Sequence, residues 1–345
     1  MPNVNKYSSS AVADRGGVVG MVAEAKGQVG RAGPQVLGSL KGATGPLIGL
    51  VLLCLFLTIW TDTFFSVRNF LNILDQVTVL GIMAVGMTLV ILIGGIDLSV
   101  GSVMALTMMV MGYLNVEAGL PMGIAIPAAL GAAALSGLVA GILITRLNVP
   151  AFIATLAMMT ITRGLASMIT NGQQIIGFPS WFNLSAIVRY GGFLTMTVAL
   201  MLVVFLLGIL YQRYRYGGRA LYAIGGNPEV ARLAGINVKL MTIMVYVVCA
   251  VLAGLSGIVL GARLDSVQPS SGVGYELDAI AAVVIGGTSL SGGTGGIGGT
   301  IIGVLIIGVL RNGLNLLSVS PFMQQVVIGL VIVLAVTAET FRKRS

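Results

Sequence analysis

The chain has 345 residues, of which 57% are hydrophobic and 9% are charged, and its mean hydropathy is +1.02. A soluble domain carries about 25% charged residues, so this composition excludes an ordinary soluble protein. The sequence has no His, and its two Cys lie inside apolar runs, so neither a histidine-based metal site nor a disulfide framework is predicted.

The first 44 residues form a polar segment that differs from the rest of the chain. They are rich in Gly, Ser and Ala and carry dispersed Lys and Arg residues. No apolar run follows the first charge, so no cleaved signal peptide is predicted. We interpret 1–44 as a flexible cytoplasmic tail with at most a weak surface helix near 18–29. An unstructured leader without function is the alternative.

Ten apolar blocks follow this tail, and a helix needs about 20 apolar residues to cross a bilayer. The sequence therefore predicts an all-α integral membrane protein with about ten transmembrane helices, some broken or short. We expect a transmembrane domain over 45–341 and a cytoplasmic end at 342–345. The eighth block is the weakest candidate for a full crossing. The blocks are 45–61, 71–94, 99–116, 121–145, 151–170, 192–211, 240–262, 276–290, 296–317 and 322–340.

The distribution of Lys and Arg predicts the orientation of these spans. Ten spans would place both termini on the same side of the membrane. In that arrangement 14 of the 19 Lys and Arg residues fall in the tail, in the loops after the fourth and sixth blocks, and at the C-terminal end. Because basic residues are enriched on the cytoplasmic side, both termini are expected in the cytoplasm. The pI of 9.8 then requires no nucleic-acid partner.

Two apolar blocks stop at the same short sequence. Residues 91–101 read ILIGGIDLSVG and residues 283–293 read VVIGGTSLSGG, so I-G-G-x-x-L-S-x-G recurs 192 residues later. Glycine pairs let the chain leave a helix at positive φ, and the serine can cap the next helix. We interpret both as helix breaks at the cytoplasmic side, a feature of transporter repeats. The predicted break residues are Gly94, Gly95, Asp97, Ser99, Gly286, Gly287 and Ser291.

Simpler interpretations of these residues remain open. Glycines also allow close packing between membrane helices. One interpretation of Asp97 is purely structural, with the carboxylate stabilising the start of the third span. The other is functional, because a charged residue within a membrane protein is a candidate for a functional site.

The loop at 212–239 contains the signals of a short helix. A pair of glycines interrupts the preceding segment, and the Asn after them can cap a new helix. Pro suits the first position of that helix, Glu suits its first turn, and a later Gly ends it. A helix of about two turns cannot cross lipid, so we expect it on the cytoplasmic surface, where it is suited to docking into a groove of a partner. A plain connector is the alternative. The residues are Gly225, Gly226, Asn227, Pro228, Glu229, Ala231, Arg232 and Gly235.

Few polar side chains are available to line a transport path, and aromatic residues make up only 6% of the chain. The candidates for the path are Asn72, Gln76, Asn171, Gln173 and Gln174. On the outer side, Arg263, Asp265 and Gln268 can contact the solute or an outer partner. An ordinary exposed polar loop is an equally good interpretation of these three residues.

Several long segments resemble one family. The segment GRALYAIGGNPEVARLAGINV at 218–238 resembles the coupling-helix region of membrane permease subunits of ABC importers for ribose, xylose, galactose and related sugars. The likeness covers most of 65–340 but not the tail. It extends to AVGMTLVILIGGIDLSVGS at 84–102, FIATLAMMTITRG at 152–164, ARLDSVQPSSGVGYELDAIAAVVIGGTSLSGG at 262–293 and RNGLNLLSVSP at 311–321.

The resemblance implies a set of partners and a location. These are a second permease copy or a related permease, two cytoplasmic ATPase subunits, a periplasmic sugar-binding protein and the bacterial inner membrane. It implies no catalytic residue, metal or cofactor in this chain, and the sequence lacks the G-x-x-x-x-G-K-[ST] phosphate loop. The alternatives are a permease of the same family for a non-sugar solute and an ion-coupled secondary transporter. The latter requires acidic residues within spans, whereas the acids inside these blocks lie at block ends.

Overall fold

The structure is a computed structural model that describes residues 36–344, with side chains over 44–331 and at 333, 334 and 337. The predicted surface helix near 18–29 and most of the predicted tail lie outside the described residues. The first described helix begins at Val36, within the segment that the sequence assigns to the tail.

Helices dominate the described part of the chain, which confirms the all-α membrane class. In chain order they are α1 (Val36–Trp60), α2 (Val67–Leu92), α3 (Val100–Gly112) with a π-helical extension (Tyr113–Glu117), α4 (Met122–Thr145), α5 (Ala151–Met168), α6 (Ser180–Ile187), α7 (Met196–Tyr214), α8 (Tyr216–Gly226), α9 (Pro228–Leu233), α10 (Val238–Leu264), α11 (Tyr275–Ile285), α12 (Ile297–Leu316) and α13 (Pro321–Arg344). Two short strands, β1 (Ile175–Ile176) and β2 (Ser266–Val267), pair antiparallel.

Among the described residues, seven helical segments are long and apolar enough to cross a membrane: α2, α3 with its extension, α4, α5, α7, α10 and α12. Apolar parts of α1 (Thr44–Trp60) and α13 (Pro321–Val331) are shorter. Helix α11 has 11 residues, about 16 Å at 1.5 Å per residue, so the block at 276–290 is not one continuous crossing helix. The number ten stays a prediction.

Helices α2 and α10 form the centre of the fold. Helix α10 packs against α2, α3 and α4, and Met83 and Met87 of α2 are fully buried. Glycines bring α4 close to α10, because a Cβ added at Gly141 would lie 2.8 Å from the Cα of Ile243. Without a hydrophobic driving force in lipid, such close backbone contact is a main source of helix association.

Side-chain caps stabilise the starts of α2 and α10. The hydroxyl of Ser66 accepts from the backbone N–H of Asn69 at the start of α2. Asn237 accepts from the N–H of Leu240 at the start of α10. Both caps satisfy backbone donors that have no partner within the helix.

Candidate functional site

The two glycine breaks end their helices in the same way. At the end of α2, the N–H of Gly94 donates to the carbonyl of Ile91 and the N–H of Gly95 donates to Val90. At the end of α11, Gly287 donates to Val284 in the same pattern, and Thr288 donates to Val283. This is the Schellman arrangement, which needs a left-handed residue just after the helix. The repeated sequence therefore forms a repeated structure.

The left-handed residue differs between the two copies of the motif. It is Gly94 in the first break, with φ +76°, and Gly287 in the second, with φ +89°. Helix α11 extends one aligned residue further than α2, which moves the turn from the first glycine of the pair to the second. Only one glycine of each pair takes a positive φ, so the expectation drawn from the pairs was wrong for Gly95 and for Gly286, whose φ is −66°. Gly95 is limited by space instead, since a Cβ there would lie 2.5 Å from the hydroxyl oxygen of Tyr246.

The predicted serine caps are also wrong. The Ser99 side chain makes no capping bond to α3. Its hydroxyl donates to Oδ1 of Asp97 at 2.6 Å, and its N–H donates to the same oxygen at 2.9 Å. Asp97 is almost completely buried and holds the turn that leads into α3. Of the two interpretations of Asp97, stabilising the helix start fits these contacts.

Two other side chains accept hydrogen bonds from the backbone at the start of α12. Helix α12 begins at Ile297, six residues after Ser291. The hydroxyl of Thr288 accepts from the N–H of Gly296 at 3.2 Å, and Oε1 of Gln212 accepts from the N–H of Ile297 at 3.1 Å. The capping oxygen at α12 therefore comes from α7, which links the second break to the segment before α8.

The two breaks lie against each other and against the end of α8. The N–H of Gly293 donates to the carbonyl of Leu92 at 2.9 Å. A Cβ on Gly225 would overlap both the carbonyl oxygen of Leu92 and the amide nitrogen of Gly293. We call this contact of Leu92, Gly225 and Gly293 the glycine junction. Three backbone segments can approach this closely only where side chains are absent.

A polar side chain of α8 reinforces the glycine junction. The hydroxyl of Tyr222 donates to the carbonyl of Gly295 at 2.8 Å and accepts from Nε2 of Gln212 at 2.7 Å. Burial raises the pKa of Tyr222 to about 12, so the phenol remains a donor at neutral pH. Movement of α8 must therefore displace the second break or break these bonds.

The predicted short helix is present as α9. The side-chain oxygen of Asn227 accepts from the N–H groups of Glu229 and Val230 at 3.0 and 3.2 Å. Pro228 is the first helical residue, and Gly235 follows the helix with φ +85°. One detail was wrong, since Gly225 and Gly226 are the last residues of α8 and the chain turns at Asn227.

Helix α9 is anchored on one side and exposed on the other. Ala231 is buried, whereas Val230 is 61% and Leu233 is 79% exposed. Glu229 and Arg232 form an ion pair at 2.9 Å on the exposed surface. Such a pair contributes little to stability. The helix therefore offers two apolar side chains and a charge pair to any partner that meets this surface.

At the opposite ends of α2 and α10, a charged cluster surrounds Asp75. The Asp75 carboxylate pairs with Arg189 at 2.7 Å and accepts from Thr195 at 3.0 Å. Arg189 also donates to the side-chain oxygen of Asn72 at 2.9 Å, and Arg263 donates to the Asp75 carbonyl at 2.7 Å. An open cavity of about 420 Å³ adjoins the cluster and is lined by Arg68, Asn72, Asp75, Ala186, Ile187, Arg189 and Arg263. Among the path and outer-face candidates, the structure brings together Asn72 and Arg263.

The remaining path and outer-face candidates lie elsewhere. Gln76 is exposed on α2. The pairing of Ile175 with Val267 joins the segments that follow α5 and α10 in one small sheet. These segments carry Asn171, Gln173, Gln174, Asp265 and Gln268. Sequence reasoning treated them as two groups, and the two-residue strands that join them carry no recognisable periodic signal.

Among the described residues, no three His, Cys, Asp or Glu side chains lie together in a way that could hold a metal ion.

Two substitutions at Gly287 should distinguish the effect of backbone strain from the effect of simply replacing the glycine. Leu at this left-handed position costs about 1–2 kcal/mol, whereas Asn tolerates the conformation and is the matched control. We expect Gly287→Leu to lower the melting temperature of the purified protein, and Gly287→Asn to retain most of it. Equal behaviour of the two variants would mean that the break does not depend on this conformation.

Comparison with known proteins gives one consistent result. The family model described as "Branched-chain amino acid transport system / permease component" matches residues 69–336. The ribose import permease protein of Escherichia coli (strain K12) is 48% identical over 85% of this chain and 92% of that protein. The corresponding protein of Bacillus subtilis (strain 168) is 45% identical, over 87% and 93%. The fructose import permease protein of Rhizobium meliloti is 37% identical, over 88% and 86%. No solved structure matches the chain.

Proposed function

This chain belongs to the family of permease components of branched-chain amino acid transport systems, and we propose that it is the membrane subunit of an ATP-driven importer for a monosaccharide or related polyol. The observation that carries the proposal is its 48% identity to a ribose import permease over 85% of the chain. The family description mentions amino acids, but the relatives named above import sugars. Ribose-like sugars are therefore the favoured substrates.

We infer that α9 is the docking element for a cytoplasmic ATPase subunit. Its exposed Val230 and Leu233 can enter a groove on that partner, as amphipathic helices commonly do. Its connection to α8 supports this role, because α8 ends at the glycine junction. A displacement of α9 by the ATPase would reach both helix breaks through Gly225 and Tyr222 of α8, because only Asn227 separates the two helices.

The opposite surface is the proposed meeting point with a periplasmic sugar-binding protein. The cluster of Asp75, Asn72 and Arg263 and the small sheet near Asp265 and Gln268 supply charged and amide groups there. Such groups can hydrogen-bond to sugar hydroxyls or to a docked protein. Asn72 is the path candidate with the best support, since it faces the cavity of about 420 Å³.

The mechanism that follows is alternating access between two permease copies in the bacterial inner membrane. The loaded binding protein docks on the outer surface, and ATP closes the two ATPase subunits. Each α9 moves with its subunit, and the breaks at the glycine junction allow α2–α3 and α11–α12 to change their angles. The sugar path then opens first outward and then inward, with ATP hydrolysis confined to the partner.

Reconstitution with the partner subunits tests this function. Proteoliposomes containing the permease, its ATPase and its binding protein should take up labelled ribose only with ATP. Uptake should stop when the phosphate-loop Lys of the ATPase is replaced. Uptake that persists in that variant and follows an ion gradient would identify a secondary transporter instead. Ligand profiling of the binding protein would identify the sugar directly.

The proposed topology has ten crossings, with the α11 crossing formed by a short helix and irregular chain, and both termini in the cytoplasm. A reporter fused after Ser345 should be active only in the cytoplasm. A reporter inserted in the loop at 171–179 or 188–191 should be active only outside. The excess of Lys and Arg on the proposed inner side is the physical reason. An extracytoplasmic C-terminus would reject the even number of crossings.

A further inference from the structure

A groove with apolar walls runs between α7 and α10 on the surface of the chain, with α2 as its floor. It has a volume of about 320 Å³. The wall from α7 is formed by Val204, Leu207, Gly208 and Tyr211, which recur at the spacing of one helix face. Val85 and Leu89 of α2 form the floor and are buried.

The opposite wall comes from the first half of α10. Met244 and Val248 line it and are 52% and 38% exposed. The lining residue nearest to the start of α10 is Met241, and Tyr211 lies three residues before the end of α7. The groove thus occupies the half of the membrane that lies toward α8 and α9, which the proposed topology assigns to the cytoplasmic leaflet.

Uncompensated positive charge lies just beyond this end of the groove. Arg213 belongs to the last turn of α7, and Arg215 directly follows the helix, four residues after Tyr211. Both are exposed, and the Arg213 guanidinium lies 5.4 Å from the ring centroid of Tyr214. The sequence contains no Asp or Glu between residues 118 and 228. The three ion pairs among the described residues involve other arginines.

We propose that an anionic phospholipid of the cytoplasmic leaflet occupies this groove. Its acyl chain lies between α7 and α10 over Val85 and Leu89, and its phosphate lies at Arg213 and Arg215. Two features select this occupant. The walls offer apolar contact for a hydrocarbon chain, and the adjoining arginines favour a headgroup with a net negative charge over a zwitterionic one, in which an ammonium group offsets the phosphate charge. The inference goes beyond the transport function and uses only its topology.

Lipid binding to the purified full-length permease tests the proposal without ATPase or binding protein, so a failure of the transport function does not affect the result. Delipidated protein is titrated with phosphatidylglycerol and with phosphatidylcholine of the same acyl chains, and bound lipid is counted by native mass spectrometry. We expect phosphatidylglycerol to bind at least about tenfold more tightly at one site.

Two variants address the two parts of the site. Met244→Trp fills the groove at an exposed wall position, and the double variant Arg213→Gln with Arg215→Gln removes the headgroup charge. Both should lose the preferred site. The matched controls are Leu135→Trp, at an exposed position of α4, and Arg146→Gln, at the end of the same helix. Both controls should retain the site.

Three results would overturn the proposal. The first is equal binding of the two lipids. The second is unchanged phosphatidylglycerol binding in Met244→Trp, with Val248→Trp as a second filling variant in case the first does not fold. The third is efficient cross-linking of Cys introduced at position 244 between two copies in native membranes, which would mean that a second permease, not a lipid, covers the groove.

Discussion

Replacing Gly225 with Ala should abolish transport, whereas replacing its neighbour Gly226 with Ala should leave transport close to the wild-type rate. A Cβ at position 225 would overlap backbone atoms of Leu92 and Gly293, and backbone cannot yield as a flexible side chain can. A Cβ at position 226 meets nothing within 4 Å. Both glycines lie at the end of α8, so the two variants change helix propensity in the same direction and differ in contact.

The expected size of the effect follows from the overlap. Overpacking a tight contact typically lowers the free energy of unfolding by about 1–3 kcal/mol. Here the overlap is relieved only if α8 moves away from both helix breaks. Separation would remove the connection between α9 and the α2–α3 and α11–α12 turns. We therefore expect Gly225→Ala to reach the membrane, to bind the ATPase subunit, and to lose ATP-driven sugar uptake.

Three measurements distinguish a broken connection from a misfolded protein. Membrane yield and melting temperature report folding, ATPase co-purification reports docking, and uptake in proteoliposomes reports coupling. Loss of uptake with retained docking supports the glycine junction as the connecting element. If Gly225→Ala transports sugar as well as Gly226→Ala does, the close approach of these backbones is not required for transport.

Local sequence signals predicted α9 well, for physical reasons. Asn227 supplies a capping oxygen, Pro228 has the φ angle of a first helical residue, and Gly235 permits the left-handed end. Each of these effects acts within a few residues. The only error at α9 was the position of the turn before it. Gly225 and Gly226 have low helix propensity, yet both belong to α8, and Gly225 lies in the glycine junction.

The glycine breaks show that local sequence signals do not predict contacts between distant parts of the chain. The two motifs were found as breaks, but the glycine that takes the left-handed conformation depends on where each helix ends. The contact between Gly293 and Leu92 joins residues about 200 apart in the chain. No periodicity or capping rule relates such positions, so the meeting of the two breaks could not be predicted.

The charged cluster around Asp75 was not predicted as a unit for a related reason, although Asn72 and Arg263 were each predicted as candidates. Asp75 is the one charged residue of the block at 71–94, and a charge there indicates only that some partner is needed. That partner is Arg189, 114 positions later, in an outer segment with no regular pattern of its own. The charge could be noticed from the sequence, but its partner and the adjoining cavity could not.

The second large effect is expected at α9 itself, where Leu233→Asp should uncouple the permease from its ATPase. Leu233 is 79% exposed, so the variant should fold and insert normally. Burying a Leu side chain in a partner groove is worth about 1.5–3 kcal/mol. Its loss together with an unpaired buried carboxylate should weaken ATPase association by more than about tenfold. The measurement is co-purification of the ATPase and its stimulation by loaded binding protein.

Two comparisons determine how this result is interpreted. Val273→Asp, in the loop between α10 and α11 at 70% exposure, introduces the same charge at an exposed apolar side chain outside α9 and should leave ATPase association unchanged. The double variant Glu229→Ala with Arg232→Ala removes the exposed ion pair and should also lower association or stimulation, with little loss of stability. Suppose instead that Leu233→Asp and the double variant both retain normal stimulation and sugar import. Helix α9 would then be only a connector, and the surface that meets the ATPase would have to be sought first at the turn from Gly292 to Gly296, on the other side of the glycine junction.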